Sequence, residues 1–205
     1  MSMIAVIDYG MGNLRSVSKA LEAVGAKVEV TNNARVIRKA RGIVLPGVGA
    51  FQQGMQNLQS LGLTQLITQA ASQEKPLLGI CLGFQLLFEQ SEEHGIHPGL
   101  GLFKGKVKRL EGPVKIPHMG WNQVAFSARK KPDIFKGIPD GSYFYFVHSY
   151  YALPEDENLI ASTTTYAIEF ASSVAKGNLW AVQFHPEKSH KLGLKILENF
   201  NEHLG

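Results

Sequence analysis

Along the N-terminal part of this chain, short runs of consecutive apolar residues alternate with stretches in which apolar positions recur every three or four residues. Residues 3–8 read as a strand. Leu14, Val17, Leu21 and Val24 then fall at helical spacing, predicting a helix from about Asn13 that Gly25 stops. Residues 27–31 are a further strand. Residues 42–45 form a short apolar strand ended by Pro46-Gly47-Val48-Gly49, and Phe51, Met55, Leu58 and Leu61 repeat at helical spacing. A strand over 77–81 and a helix over 82–90 complete the alternation. Strand and helix in turn imply an α/β fold with a mostly parallel central sheet, helices on both faces, and ligand chemistry at the carboxyl ends of the strands.

Past Glu93 the pattern changes, through the loop-like His94-Gly95-Ile96-His97-Pro98-Gly99, to a strand-rich second half. Strands are expected over 106–110, 122–126, 142–151, 159–165 and 172–175. Lys176-Gly177-Asn178 reads as a hairpin turn into an apolar run over 179–184 that ends on His185. An amphipathic helix over 192–204 follows. No repeat, low-complexity tract or linker interrupts the chain, so a single domain over 1–205 is expected.

Composition narrows the function classes. One cysteine among 205 residues rules out an internal disulfide, and no leader or long apolar span is legible, so a soluble, cytoplasmic protein without a membrane partner is expected. The net charge of +4 raises the question of nucleic acid. Basic residues gather over 35–41, 104–109 and 129–131. Lys106 and Lys108 alternate about Val107 as on the wet face of a strand, and no comb of aromatics accompanies them. Solvated faces are expected rather than a nucleic-acid site, and an acidic protein partner stays open.

The candidate chemistry centres on Gly79-Ile80-Cys81-Leu82-Gly83, between a predicted strand and a predicted helix. A lone cysteine is usually a small buried hydrophobe. Glycines on both sides permit a tight strand-to-helix elbow that exposes a nucleophile, and a helix N-terminus favours thiolate. His185-Pro186-Glu187 supplies a base and an orienting carboxylate two residues apart, on one side of an extended segment. Cys81, the Pro46-Gly47-Val48-Gly49 loop and His185 each follow a predicted strand, so a parallel sheet gathers them at one edge. An oxyanion formed there needs donors, which the Leu82 N–H and the Gly47, Val48 and Gly49 backbone can provide. Gly10-Met11-Gly12-Asn13 reads as a tight turn, since Arg15 occupies the place of the third glycine of a dinucleotide fingerprint. His94 and His97 lack partners at metal-ligand spacing, so no metal or cofactor is expected. From the residues alone, a stand-alone cysteine hydrolase or peptidase stays open.

These elements, in this order and spacing, resemble the class I (triad) glutamine amidotransferases over the whole chain. Within that family the segments Asp8-Tyr9-Gly10-Met11-Gly12-Asn13-Leu14, Pro46-Gly47-Val48-Gly49-Ala50-Phe51, Gln85-Leu86-Leu87-Phe88-Glu89, Pro117-His118-Met119-Gly120-Trp121-Asn122 and His185-Pro186-Glu187-Lys188-Ser189 are most similar to the branch serving histidine biosynthesis. The resemblance implies a flavodoxin-like sheet, with Cys81 as nucleophile, His185 as acid and base, and Glu187 as its orienter. It implies that glutamine is held by Gln85, by Glu93 at its amino group, and by the backbone of Ser149 and Tyr150. It further implies a cyclase subunit as heterodimer partner, with Asn13 and Lys188 at the interface and Trp121 near the ammonia exit. Family members can need a partner-driven peptide rearrangement in the oxyanion loop.

Overall fold

The computed structural model describes residues 3–127 and 131–205. The chain begins with strand β1 (Met3–Ile7), helix α1 (Leu14–Ala23), β2 (Lys27–Thr31), α2 (Ala34–Lys39), β3 (Gly42–Leu45), α3 (Phe51–Ser60), α4 (Leu63–Ser72), β4 (Leu77–Ile80) and α5 (Leu82–Leu86). It continues with β5 (Phe88–Ser91), β6 (His97–Pro98), β7 (Phe103–Arg109), β8 (His118–Phe126), β9 (Ser142–His148), β10 (Tyr150–Pro154), β11 (Ile160–Tyr166), β12 (Ile168–Lys176), β13 (Leu179–Val182) and α6 (His190–His203).

The larger sheet runs β2-β1-β3-β4-β13-β12-β11-β8-β9. It is mixed: the pairings from β2 to β13 are parallel, and those from β13 to β9 are antiparallel. In the parallel half, side chains alternate between two apolar layers. Ile4, Val6, Val44, Leu78 and Ile80 face one layer, which includes residues of α1 and α6, while Ala5, Ile7, Ile43, Leu45 and Leu77 face the other, which includes residues of α2 to α5. Burial on both faces is why these strands read as unbroken apolar runs. Because β3, β4 and β13 are adjacent and parallel, Pro46, Cys81 and the segment leading to His185 leave the sheet at the same edge.

A smaller sheet, β10-β7-β5-β6, stands beside this edge. It revises two expected elements. The expected helix over 82–90 stops at Leu86, and Phe88–Ser91 is a strand paired with β7 and β6. Every residue from Leu82 to Phe88 is buried, so the run carries no period to separate helix from strand. The expected strand over 142–151 is two strands: Ser142–His148 pairs with β8, and Tyr150–Pro154 pairs with β7. At Ser149 the chain crosses from one sheet to the other. The structure also adds helices α2 and α4 to the expected elements. In α2 only Ile37 is buried, whereas α4 buries Leu63, Leu66, Ile67 and Ala70 at plain helical spacing. Of the three basic clusters, that over 129–131 includes Arg129 and Lys130, which lie outside the described residues.

Candidate active site

Cys81 sits at the turn between β4 and α5 with φ +54° and ψ −108°, a backbone conformation that an L-residue adopts only when its surroundings impose it. Two close approaches impose it. A methyl group on Gly83 would lie 1.7 Å from the Leu45 carbonyl oxygen, and one on Gly79 would lie 3.0 Å from the Gly83 carbonyl oxygen. The elbow is pinned from the sheet by the Cys81 N–H, which donates to the Val182 carbonyl at 2.8 Å. Helix α5 spans only five residues, so its peptide dipoles contribute little toward a thiolate. The neighbouring imidazole is the stronger electrostatic partner.

That imidazole belongs to His185. Its Nδ1–H donates to Glu187 Oε1 at 2.8 Å, and both side chains are 2% exposed. The turn Pro186–Lys188 brings the carboxylate back to the Nδ1 edge of the ring, and the Ser189 hydroxyl locks it by donating to the His185 carbonyl at 2.6 Å while accepting the Tyr145 N–H at 3.0 Å. Among the described residues Nε2 has no other hydrogen-bond partner, which leaves it for Cys81. Burial disfavours a charged ring here. The charge and contact of Cys81, with the hydrogen bond and charge of Glu187, outweigh burial and push His185 up to about 10. The arrangement can hold a thiolate beside an imidazolium.

The glycine loop stands opposite. Tyr9 lies beneath it with its hydroxyl donating to the Pro46 carbonyl at 2.7 Å, and a methyl group on Gly47 would come 2.2 Å from that hydroxyl oxygen. The Leu82 N–H, expected to be an oxyanion donor, donates instead to the Gly47 carbonyl at 3.3 Å. The loop therefore presents an acceptor to Leu82 where an oxyanion would need donors.

Val48, Gly49, Cys81, Leu82, Gln85, Glu93, Ser149, Tyr150 and Lys188 line one cleft of about 890 Å³. Glu93 Oε2 accepts the Phe51 N–H at 2.7 Å, which leaves its other oxygen for a ligand. Both Gln85 amide hydrogens are used, one on the Tyr150 carbonyl at 2.9 Å and one on Gln183 Oε1 at 3.0 Å, so only Oε1 remains to meet a substrate. The structure does not bring Asn13 or Trp121 into this cleft lining. Asn13 caps α1 by accepting the Ser16 N–H at 3.2 Å. Trp121 is 45% exposed and stacks on His190 with ring centroids 5.0 Å apart. Lys188 lies over the Tyr145 ring, 5.7 Å from its centroid.

Several polar groups at the site were not singled out from sequence. Gln183 is fully buried, holds Gln85, and approaches Cys81 Sγ with its Nε2 at 3.8 Å; a glutamine interrupting the apolar run over 179–184, just past the end of β13, was its signal. His148 also lines the cleft. Its Nδ1 faces the Tyr150 carbonyl at 2.8 Å, which only accepts, so Nδ1 carries the proton. His148 Nε2 then accepts from His118 Nδ1 at 2.9 Å, and His118 Nε2 accepts from the Asn122 amide at 3.2 Å. This one-way chain suits two neutral rings. Burial pushes His118 down to about 4 and His148 down to about 3. Arg109, expected on a solvated face, lines the cleft as well. Among the described residues, no three of His, Cys, Asp and Glu cluster so as to hold a metal ion.

A sheet-edge cysteine elbow with a buried His–Glu pair behind it is the arrangement of a nucleophilic amide-cleaving site, and the chain belongs to the class-I glutamine amidotransferase family, which it matches over residues 5–204. Among proteins of known role, it is 55% identical over 202 residues to the imidazole glycerol phosphate synthase subunit HisH of Moorella thermoacetica, a match covering 98% of this chain and 95% of that one. It is 57% identical over 196 residues to the subunit of the same name from Aquifex aeolicus, covering 95% and 94%. Two solved structures share the fold: a glutamine amidotransferase with a TM-score of 0.77 at 16% identity, covering 98% of both chains, and PurLQS of Thermotoga maritima with a TM-score of 0.76 at 18% identity, covering 100% of this chain and 99% of that one. Among the described residues no helix is long and apolar enough to cross a membrane.

Proposed function

We propose that the chain is the glutaminase subunit of an imidazole glycerol phosphate synthase, a single cytoplasmic domain that hydrolyses glutamine and passes ammonia to a cyclase subunit in histidine biosynthesis. The observation that carries this reading is the Cys81 elbow with His185 hydrogen-bonded to buried Glu187, in a chain more than half identical to the named subunits.

In this mechanism the Cys81 thiolate attacks the side-chain carboxamide carbon of glutamine, and the imidazolium of His185 protonates the departing nitrogen, giving ammonia and a glutamyl thioester. His185 then takes a proton from water, which attacks the thioester and releases glutamate. Glu187 holds the imidazole ring and its charge throughout. The oxyanion needs a change at the loop. Turning over the Gly47–Val48 peptide removes the carbonyl that occupies the Leu82 N–H and presents the Val48 N–H in its place, giving two donors. Gly49, at φ +116°, supplies freedom for that turn. Docking of the cyclase is the natural trigger, so that ammonia is released only when a receiver is present. Free ammonia in neutral water is mostly non-nucleophilic ammonium, which favours a closed path. Met119, Trp121 and Tyr143, 62%, 45% and 54% exposed on paired strands β8 and β9, with Lys188 and Asn13, form the face offered to that partner.

The test is glutamine hydrolysis by the purified chain with and without the cyclase subunit, in wild type and Cys81→Ser. Glutamate should appear with the wild-type complex and not with the variant, and a glutamine-derived diazoketone should label Cys81. Turnover of peptides or esters with glutamine left untouched in the complex would overturn the reading.

A further inference from the structure

We propose that Gln183 is a catalytic residue, whose side-chain amide donates to the Cys81 sulfur and holds it as the thiolate. The proposal rests on the glutaminase reading and adds a member to the Cys81, His185 and Glu187 machinery.

Gln183 directly follows β13 and is fully buried, between Val182 and Phe184, which are fully buried as well. An amide taken out of water is costlier to bury than an apolar side chain of similar length such as methionine, unless each polar atom finds a partner. Both ends of Gln183 find one, and both partners belong to the site. Its Oε1 accepts from Gln85 Nε2 at 3.0 Å, and its Nε2 lies 3.8 Å from Cys81 Sγ. The backbone holds the side chain in place: the Gln183 N–H donates to the Ser172 carbonyl at 2.9 Å, and the Val182 carbonyl just before it accepts the Cys81 N–H at 2.8 Å.

The surroundings decide which end of the amide meets the sulfur. The Tyr150 carbonyl only accepts, so the Gln85 group 2.9 Å from it is the NH2. That NH2 also faces Gln183, so the Gln183 atom on that side is the accepting oxygen. The nitrogen is left facing Cys81. One fixed carbonyl thus dictates, through two amides in turn, that the sulfur receives a donor.

The sulfur has a use for that donor. Sγ also lies 3.8 Å from the Val147 carbonyl, an acceptor that suits a thiol and repels a thiolate. Gln183 opposes it with an N–H, and His185, hydrogen-bonded to Cys81, opposes it with charge. As the sulfur bonds to the carboxamide carbon of glutamine, its charge passes to the carbonyl oxygen and the Gln183 N–H is released. When water attacks the glutamyl thioester, the C–S electron pair returns to sulfur, and Gln183 receives the departing thiolate.

Cys81 is the one cysteine of the chain, so alkylation by iodoacetamide reads this sulfur alone and needs no bound glutamine. The titratable and charged groups facing it are His185 after β13 with Glu187 behind it, Tyr9 after β1, His148 at the end of β9, and Lys188, Glu93 and Arg109 in the cleft lining. Gln183→Met alters none of them. It should raise the pH midpoint of alkylation by about half a unit to one unit, a three- to tenfold change in the thiolate equilibrium and the range of one hydrogen bond. The alkaline plateau should stay within about twofold, because the thiolate stays equally accessible, and glutamine hydrolysis in the cyclase complex should fall. An unmoved midpoint, with alkylation equal or faster at every pH, would show that Gln183 only packs the elbow and would overturn the role. So would a raised midpoint with hydrolysis unchanged. Where Gln183→Met does not fold, the 15N-labelled wild-type chain supplies the reading: a Gln183 side-chain amide proton should shift with the same midpoint as Cys81 alkylation, and one that stays still across it would overturn the role. None of these results touches the glutaminase reading, which falls only if the wild-type complex leaves glutamine intact, and then this proposal falls with it.

Discussion

His185 keeps a proton that its burial by itself would remove, because Cys81 and Glu187 bear on opposite ends of the ring. With His185 pushed up to about 10, the proton needed by the departing ammonia is present through neutral pH and is lost as pH rises through that value. Glu187→Gln retains an acceptor for Nδ1–H and removes the carboxylate charge. The alkaline limb of kcat/KM should then move to lower pH by about one unit or more, measured as glutamate release between pH 7 and 10.5 in the cyclase complex. Coincident limbs in the two proteins would show that Glu187 does not sustain the imidazolium. At the same scale, Gln183 shows how one buried side chain serves two neighbours: its oxygen fixes Gln85 and its nitrogen approaches the Cys81 sulfur.

At the scale of elements, the elbow depends on how closely α5 approaches the end of β3. Gly83 is the contact point, since a Cβ there would sit 1.7 Å from the Leu45 carbonyl oxygen. That oxygen belongs to a central strand and has no free direction to move. Gly83→Ala should therefore displace α5, destabilise the chain by about 1–3 kcal/mol as overpacking does, and lower glutaminase activity because Cys81 moves with the helix. Urea unfolding and initial rates would measure both, and an unchanged midpoint would show that the elbow is looser than this packing implies. The crossing at Ser149 is the second decisive element feature. One continuous apolar and aromatic segment leaves the large sheet at His148 and enters the small sheet at Tyr150, carrying Ser149 and Tyr150 into the lining of the cleft that holds the cysteine.

For the whole molecule, the paired neutral rings of His118 and His148 tie stability to pH. Their folded values, about 4 and about 3, lie below the ordinary histidine value of about 6.5. The unfolded chain thus binds more protons than the folded one between those limits. The stabilising effect of the two neutral rings is complete above about pH 6.5 and is lost as pH falls toward 4. Urea midpoints should drop between pH 6.5 and 4.5, and His148→Gln should flatten that drop; parallel curves for the two proteins would refute the assignment. The alternation of strand and helix, the shared carboxyl edge of β3, β4 and β13, the elbow glycines and the His-x-Glu pair were all legible in the sequence, because each is written in local periodicity or in adjacent residues. The second half was legible as strands and not as sheets. Residues 142–151 show why: they are one run of strand-forming residues whose two halves find different partners. In the first half, residues 82–88 are buried on every side and have no period to separate helix from strand. What the sequence by itself determined was the strand-to-helix elbow at Cys81, the His185–Glu187 pair and the order of elements that gathers them. Only the tertiary structure decided that Arg109 lines the same cleft as Glu93, that Gln183 supports Gln85, that His118 donates to His148, and that the Gly47 carbonyl occupies the Leu82 N–H. Each depends on strand register or on the orientation of a single peptide, set by contacts between segments far apart in the chain.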